Sequence, residues 1–341
     1  MTFPCQNVVV YCLHHLESVM KSMFLGLAAL VLSLPVHAQR PNRDLLPLNA
    51  YTLEGYEAAA ISERLTLPAD FAFSRVSGVV VDSRQHLIVL HRGEDPLIEF
   101  DAEGTFVRAF GPRDTWTFAH GLRLDREGNI WVSDLGTHSV VKFNAAGDQL
   151  MTLGTPGQNG LWDEAGGKHL FDQPNDMAFD SQGNLYVAQG HVRGEPRILK
   201  FDHQGNFIKM WGARGSAPGE FIAAHAIVID SEDNLYVADR ENMRVQIFDT
   251  DGNYLREWTY NAMACALYLH DDGQMYMTTG FDGEWAILDK DGKVVGSLGR
   301  PGEGLGEFGE GHYLTVDAHG DVFIADAVSS RVHLFRKKAG Q

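Results

Sequence analysis

The chain has 341 residues, 44% hydrophobic and 21% charged, with 36 glycines and a net charge of −17. This is a globular composition with material for a large core, and the acidic balance excludes nucleic acid or an anionic membrane surface as the main partner, since both would repel it. Length alone suggests two domains, but an all-β propeller of this size forms one.

The N-terminus comes first. Met20-Lys21 precedes an apolar run from Met23 to Pro35, followed by Val36-His37-Ala38 and Gln39. A basic start, an apolar stretch and a small-x-small site make a signal peptide. The run is shorter than the roughly 20 residues of a membrane span. Residues 1–38 are therefore expected to be an upstream extension plus a removed signal peptide, 39–50 a leader, and 51–338 a single propeller domain. The product is expected to be secreted or periplasmic, with no membrane span after cleavage. Cleavage takes Cys5 and Cys12 away and leaves Cys265, so no internal disulfide is expected.

Beyond the leader the chain repeats itself. Segments ending at Asp82, Asp125, Asp180, Asp230, His270 and Asp317 share one pattern of apolar strand and turn. A second apolar strand follows, as in Ile130–Asp134, Leu185–Gln189, Leu235–Asp239 and Val322–Asp326, and then a third. Five copies continue into a fourth strand, the first of them Phe106 to Phe110. Four short strands with Gly/Asp/Asn turns, recurring about every 40–55 residues, predict propeller blades. The Asp residues read as turn formers, because the turns they open carry Gly and Asn, which accept positive φ. His86, His203 and His319 fall in such turns and are expected to be solvated. The sixth copy ends at Phe335 without a fourth strand, and Tyr51 to Leu67 is available to supply it. That closure removes exposed sheet edges. The fold class is all-β, a six-bladed β-propeller closed by an N-terminal strand. Its repeats resemble NHL repeats from about residue 70 to 336.

The first strand of a blade lines the channel. The residue five before each turn Asp (or His270) is Ser77, His120, Asn175, His225, Cys265 and His312 in order. Histidine takes every second position. In a six-fold ring such positions lie about 120° apart, so three imidazoles converge on the axis and can hold one metal ion with an open fourth position, zinc by preference. Copper, iron or manganese satisfy the same ligand type. The alternative is a set of channel histidines hydrogen-bonded to one another or to water.

His120-Gly-Leu, Gln173-Pro-Asn-Asp176, Ala238 to Asn242 and His91-Arg92-Gly93 together resemble peptidyl-α-hydroxyglycine α-amidating lyase, over most of the chain after residue 38. The resemblance implies a six-bladed propeller with zinc on His120, His225 and His312. It also implies cleavage of a carbinolamide C–N bond, releasing a peptide amide and glyoxylate. It places Arg92 on a substrate-binding arginine; a surface salt bridge with Glu94 or Asp95 is the other role open to that residue. Where the family carries a catalytic tyrosine this chain has His191, a candidate base with an ordinary pKa near 6.5. Glu310 stands for a pocket methionine and is a second candidate proton carrier. Tyr313 stands for a calcium-binding aspartate, leaving a structural calcium mainly the backbone oxygens of Val79 and Leu122. Three functions follow as expectations: a zinc lyase of the amidating type, acting on a small-molecule or peptide substrate; a zinc hydrolase or lyase of the same scaffold with another substrate; and a non-enzymatic NHL binding propeller. A lactonase-type propeller, with acidic metal ligands in the channel, fits poorly, because the six positions hold no Asp or Glu.

Overall fold

Six four-stranded antiparallel sheets follow one another among the residues described by the computed structural model, 53–191 and 193–338. The expected extension, signal peptide and leader lie outside the described residues. The innermost strands of blades one to six are Val76–Val81, Ala119–Leu124, Pro174–Phe179, Ala224–Ile229, Ala266–Leu269 and Gly311–Val316. Each packs against the next, and the sixth meets the first, so the sheets close into a ring. Within the described residues, no helix is long and apolar enough to cross a membrane.

Closure uses both ends of the propeller. Tyr56–Ala59 pairs antiparallel with Arg331–Lys337 and becomes the outer strand of blade six. Tyr56 packs edge-on against the fully buried Trp285 of blade five, with ring centroids 5.2 Å apart. Burying side chains of this size contributes about 1.5–3 kcal/mol each, which offsets the entropy of fixing a distant segment.

The hydrophobic core is distributed between blades. One cluster joins blades one and two through Ile88, Leu90, Leu122 and Val132; others join the following pairs around the ring. The turn aspartates work as expected. Asp125 Oδ1 accepts the backbone N–H groups of Glu127 and Asn129, and Asp82, Asp180, Asp230 and Asp317 repeat the arrangement. His203 and His319 are exposed. His86 departs from expectation: its Nδ1 lies 2.7 Å from Glu99, inside an ion network with Arg84 and Arg108.

One feature of the inner strands sets up the site. Pairing with the second strand slips between Val76 and Gly78, Ala119 and Leu122, Pro174 and Asp176, Ala224 and Ala226, and Gly311 and Leu314. Each slip brackets one of the channel positions: Ser77, His120, Asn175, His225 or His312. A bulge frees a residue from the ladder and re-aims its side chain.

Candidate metal centre and its cavity

The three bulged histidines meet on the axis. Ring centroids lie 4.5 Å apart for His120 and His312, 4.8 Å for His120 and His225, and 5.2 Å for His225 and His312. One nitrogen from each falls within 4.8 Å of the others. Tetrahedral zinc bonds of about 2.0–2.1 Å put ligand nitrogens about 3.4 Å apart, inside that bound.

The hydrogen bonds decide which nitrogen is free. His120 Nδ1 donates to Asn175 O at 2.9 Å, His225 Nδ1 to Cys265 O at 2.7 Å, and His312 Nδ1 to Ser77 O at 2.7 Å. In each case the acceptor is the backbone of the next channel position around the ring. A carbonyl accepts only, so each Nδ1 carries the proton and each Nε2 keeps its lone pair. The Nε2 atoms of His120 and His225 are buried without a partner. Burial pushes all three imidazoles well below their ordinary pKa, aided by Arg92 for His312 and by Arg240 for His225. Neutral rings with fixed tautomers and orphaned lone pairs fit a divalent metal ion.

Above the histidines opens a cavity of about 400 Å³, lined by His120, His312, Arg92, His191, Arg240, Glu310, Phe118, Arg75, Phe281 and Val328 among others. Arg92, His191 and Glu310 are therefore brought together over the three histidines. Arg92 is partly buried; its Nε donates to Ala119 O at 3.1 Å and its guanidinium lies 3.6 Å from the Phe118 ring centroid. Glu94 and Asp95 pair with Arg113 instead, so the salt-bridge role for Arg92 is not realised. Burial lowers the Arg92 pKa to about 10, with Glu310 opposing and Arg75 reinforcing the shift.

His191 sits 5.3 Å from His120 and 5.4 Å from His225, measured between ring centroids. The preceding Gly190 turns at φ 91°, where a Cβ would lie 2.3 Å from Pro196 Cα. The ordinary pKa expected of His191 does not survive: burial, with Arg240 and Arg92 nearby, pushes it down to about 3. Glu310 moves the other way, raised by burial against the pull of Arg240 and Arg92. Its Oε1 is 3.7 Å from Arg240 Nη1.

Arg240 was not singled out from the sequence as a site residue. It is 4% exposed and pairs with Glu241 at 2.6 Å. Burial opposes its charge, yet Glu241 and Glu310 hold its pKa above the ordinary value. A signal existed. His91 and Asp239 end the second strands of blades one and four, so Arg92 and Arg240 occupy the same repeat position in opposite blades.

The channel beneath the histidines is filled by protein. Arg123, 13% exposed in its side chain, pairs with buried Asp176 at 2.6 Å, donates to Leu267 O and faces the Tyr313 ring. The Tyr313 hydroxyl lies 3.4 Å from Asn175 O and 3.3 Å from His225 O. A guanidinium and a phenol thus occupy the interior where the resemblance implied an acidic calcium ligand. A second cluster, Asp82, His86 and Glu99, is already neutralised by Arg84 and Arg108. Cys265 is a buried free thiol, its pKa pushed by burial up to about 12.

Comparison with known proteins agrees with this architecture. A six-bladed β-propeller family model matches residues 180–286 and an NHL repeat model matches residues 117–143. The mouse (Mus musculus) NHL repeat-containing protein 3 is 32% identical over 192 residues, covering 53% of this chain and 54% of that protein. A probable peptidyl-α-hydroxyglycine α-amidating lyase of Caenorhabditis elegans is 32% identical over 203 residues, covering 51% and 55%. The chain thus spans about half the length of these curated relatives. A solved gluconolactonase from Xanthomonas campestris superposes with a TM-score of 0.60 at 14% identity, over 87% of this chain and 99% of that one, a likeness of fold. The chain is a six-bladed β-propeller with an NHL-repeat match in its second blade, and it resembles the peptidyl-α-hydroxyglycine α-amidating lyases.

Proposed function

We propose that the protein is a zinc-dependent lyase that cleaves a carbinolamide-type C–N bond in a peptidyl-α-hydroxyglycine-like substrate, releasing an amide and glyoxylate. The observation that carries this is the trio of neutral imidazoles, each oriented by a backbone carbonyl, two of which line a cavity rich in guanidinium groups. His120, His225 and His312 would hold the metal through Nε2. Zinc, when bound, supplies Lewis acidity towards an oxygen ligand.

The remaining chemistry belongs to the side chains above. Arg92 carries no carboxylate partner among the described residues and is free to grip a substrate carboxylate or oxyanion. His191 is neutral and accepts a proton at a ring nitrogen. Its proton affinity is low because it is buried, with the positive charges of Arg240 and Arg92 nearby, and a bound substrate carboxylate offsets those charges. The base takes the hydroxyl proton, C=O forms as C–N breaks, and the departing amide nitrogen receives the proton. Glu310, raised by burial, is the second group able to deliver one.

A zinc hydrolase or lyase acting on a different substrate is the second reading, favoured by Glu310 facing the cavity beside Arg240. A non-catalytic NHL binding propeller would need neither Arg92 nor His191. We also propose that residues 1–38 are removed on export, which N-terminal sequencing of protein from its native host checks. Metal analysis combined with glyoxylate release from an α-hydroxyglycine peptide tests the main reading. A full zinc complement without glyoxylate release would exclude this substrate and leave the second reading.

A further inference from the structure

Arg75 is the one charged residue lining the cavity that the proposed chemistry leaves unused. It is exposed at the cavity mouth and holds φ 35°, a left-handed conformation that costs a non-glycine residue energy. Two contacts fix it there. Its N–H donates to Ser330 Oγ at 2.9 Å, tying it to the Val328 side of the mouth. The Arg92 N–H donates to the carbonyl of the preceding Ser74 at 2.9 Å. Arg75 and Arg92 are therefore carried on one wall by adjacent backbone, the first exposed and the second partly buried.

The charges on that wall do not balance. Arg240 is neutralised by Glu241 and Glu310, whereas neither Arg75 nor Arg92 forms an ion pair among the described residues. Two unpaired guanidiniums on one wall repel, and an anion between or beside them removes the cost. The setting sharpens the point, because the chain as a whole carries −17. A cationic pocket in an acidic protein is a focused field for anions. Phe281 and Val328, 52% and 57% exposed, add apolar surface at the same mouth.

We propose that Arg75 is a second anion-binding position at the cavity mouth, so that the site selects ligands carrying one anionic group at Arg92 and another on the tail that reaches Arg75. The preferred substrates are then acidic peptides or dicarboxylic compounds. The proposal rests on the anionic-substrate reading above, but its test reads binding and not turnover.

The probes are N-acetyl-glutamyl-glycine and N-acetyl-glutaminyl-glycine, near-isosteric and unreactive, differing by one negative charge. Calorimetric titration of the zinc-loaded protein yields the ratio of their affinities. The wild type is expected to favour the glutamyl ligand about five- to ten-fold, as a partly exposed charge-assisted contact provides. In Arg75→Gln the ratio falls to about one, and in Arg75→Lys, which keeps the charge, most of it returns. All three residues are unbranched at Cβ and place the same demand on the backbone, so strain cancels from the comparison. A ratio near one in the wild type, a ratio unchanged by Arg75→Gln, or no measurable binding of either ligand would each overturn the proposal. Loss of the lyase reading looks different: no glyoxylate from an α-hydroxyglycine peptide, with the charge preference intact.

Discussion

Replacing His225 with alanine removes one of three converging imidazoles and should take away most of the zinc-dependent stabilisation. His225 is fully buried, its Nδ1 donates to Cys265 O at 2.7 Å, and its Nε2 has no protein partner. Structural zinc sites with four ligands bind with about 10–16 kcal/mol, or about 2.5–4 kcal/mol per ligand, so losing one weakens affinity about 10²- to 10³-fold. A ligand at a thousand times its dissociation constant stabilises the folded state by about 4 kcal/mol. At the same free zinc concentration the variant gains only about 0.4–1.4 kcal/mol. At about 2 °C per kcal/mol for a chain of this size, zinc should raise the wild-type melting temperature by about 8 °C and that of the variant by about 1–3 °C. The metal-free variant also melts somewhat lower, because Cys265 O loses its donor, at about 1–3 kcal/mol. The assay is a thermal melt with and without buffered zinc, supported by elemental analysis. An unchanged zinc-induced shift in His225→Ala would refute the claim that this imidazole is a ligand.

Four further outcomes are expected. Arg92→Ala should cut turnover about 10²- to 10³-fold, as loss of an oxyanion donor does, while elemental analysis still finds one zinc per chain; loss of zinc would move Arg92 into a structural role. His191→Ala should slow glyoxylate release about 10²- to 10⁴-fold and His191→Tyr should retain it, and equal activity in all three proteins would remove His191 from the proton path. Arg123→Met leaves the Asp176 carboxylate buried without its cation, so urea unfolding should show a loss of about 3–5 kcal/mol that Arg123→Met/Asp176→Leu largely recovers. In the metal-free protein His120, His225 and His312 are neutral when folded but titrate near 6.5 when unfolded. The unfolded chain therefore binds more protons in acid, and stability, complete above pH 6.5, should fall by up to about 1.4 kcal/mol per histidine per pH unit below it; melts that stay flat from pH 7.5 to 5.5 would mean that the rings are not held neutral.

The blades and the histidine positions could be read from the sequence because both depend on local pattern. An apolar strand, an Asp-opened turn and a fixed offset recur often enough to define a register, and that register alone puts His120, His225 and His312 at one level. The bulges could not be read this way. Simple alternation assigns a face to every residue of an inner strand, and only the slipped pairing around His120 or His312 shows how these rings leave the ladder. Arg240 escaped because it lies one residue beyond a strand end, where the repeat pattern has stopped constraining residue type. Its equivalence with Arg92 emerges once blades one and four are laid over each other. The shifted pKa of His191 comes first from its burial and then from charges on other blades, Arg240 and Arg92, none of which a local segment reveals.

The seam between blades six and one has a kinetic consequence. Tyr56–Ala59 and Arg331–Lys337 lie at opposite ends of the described chain, so the ladder that joins them closes the longest loop in the fold and is expected to form late. His312 belongs to that composite blade, and its ring is aimed by Ser77 O across the seam. A folding intermediate with five finished blades would already hold His120 and His225 but could not yet offer the third nitrogen. Zinc capture during refolding is therefore a clock for ring closure, and a chain whose first strand is deleted should keep blade-like circular dichroism while binding the ion slowly or not at all.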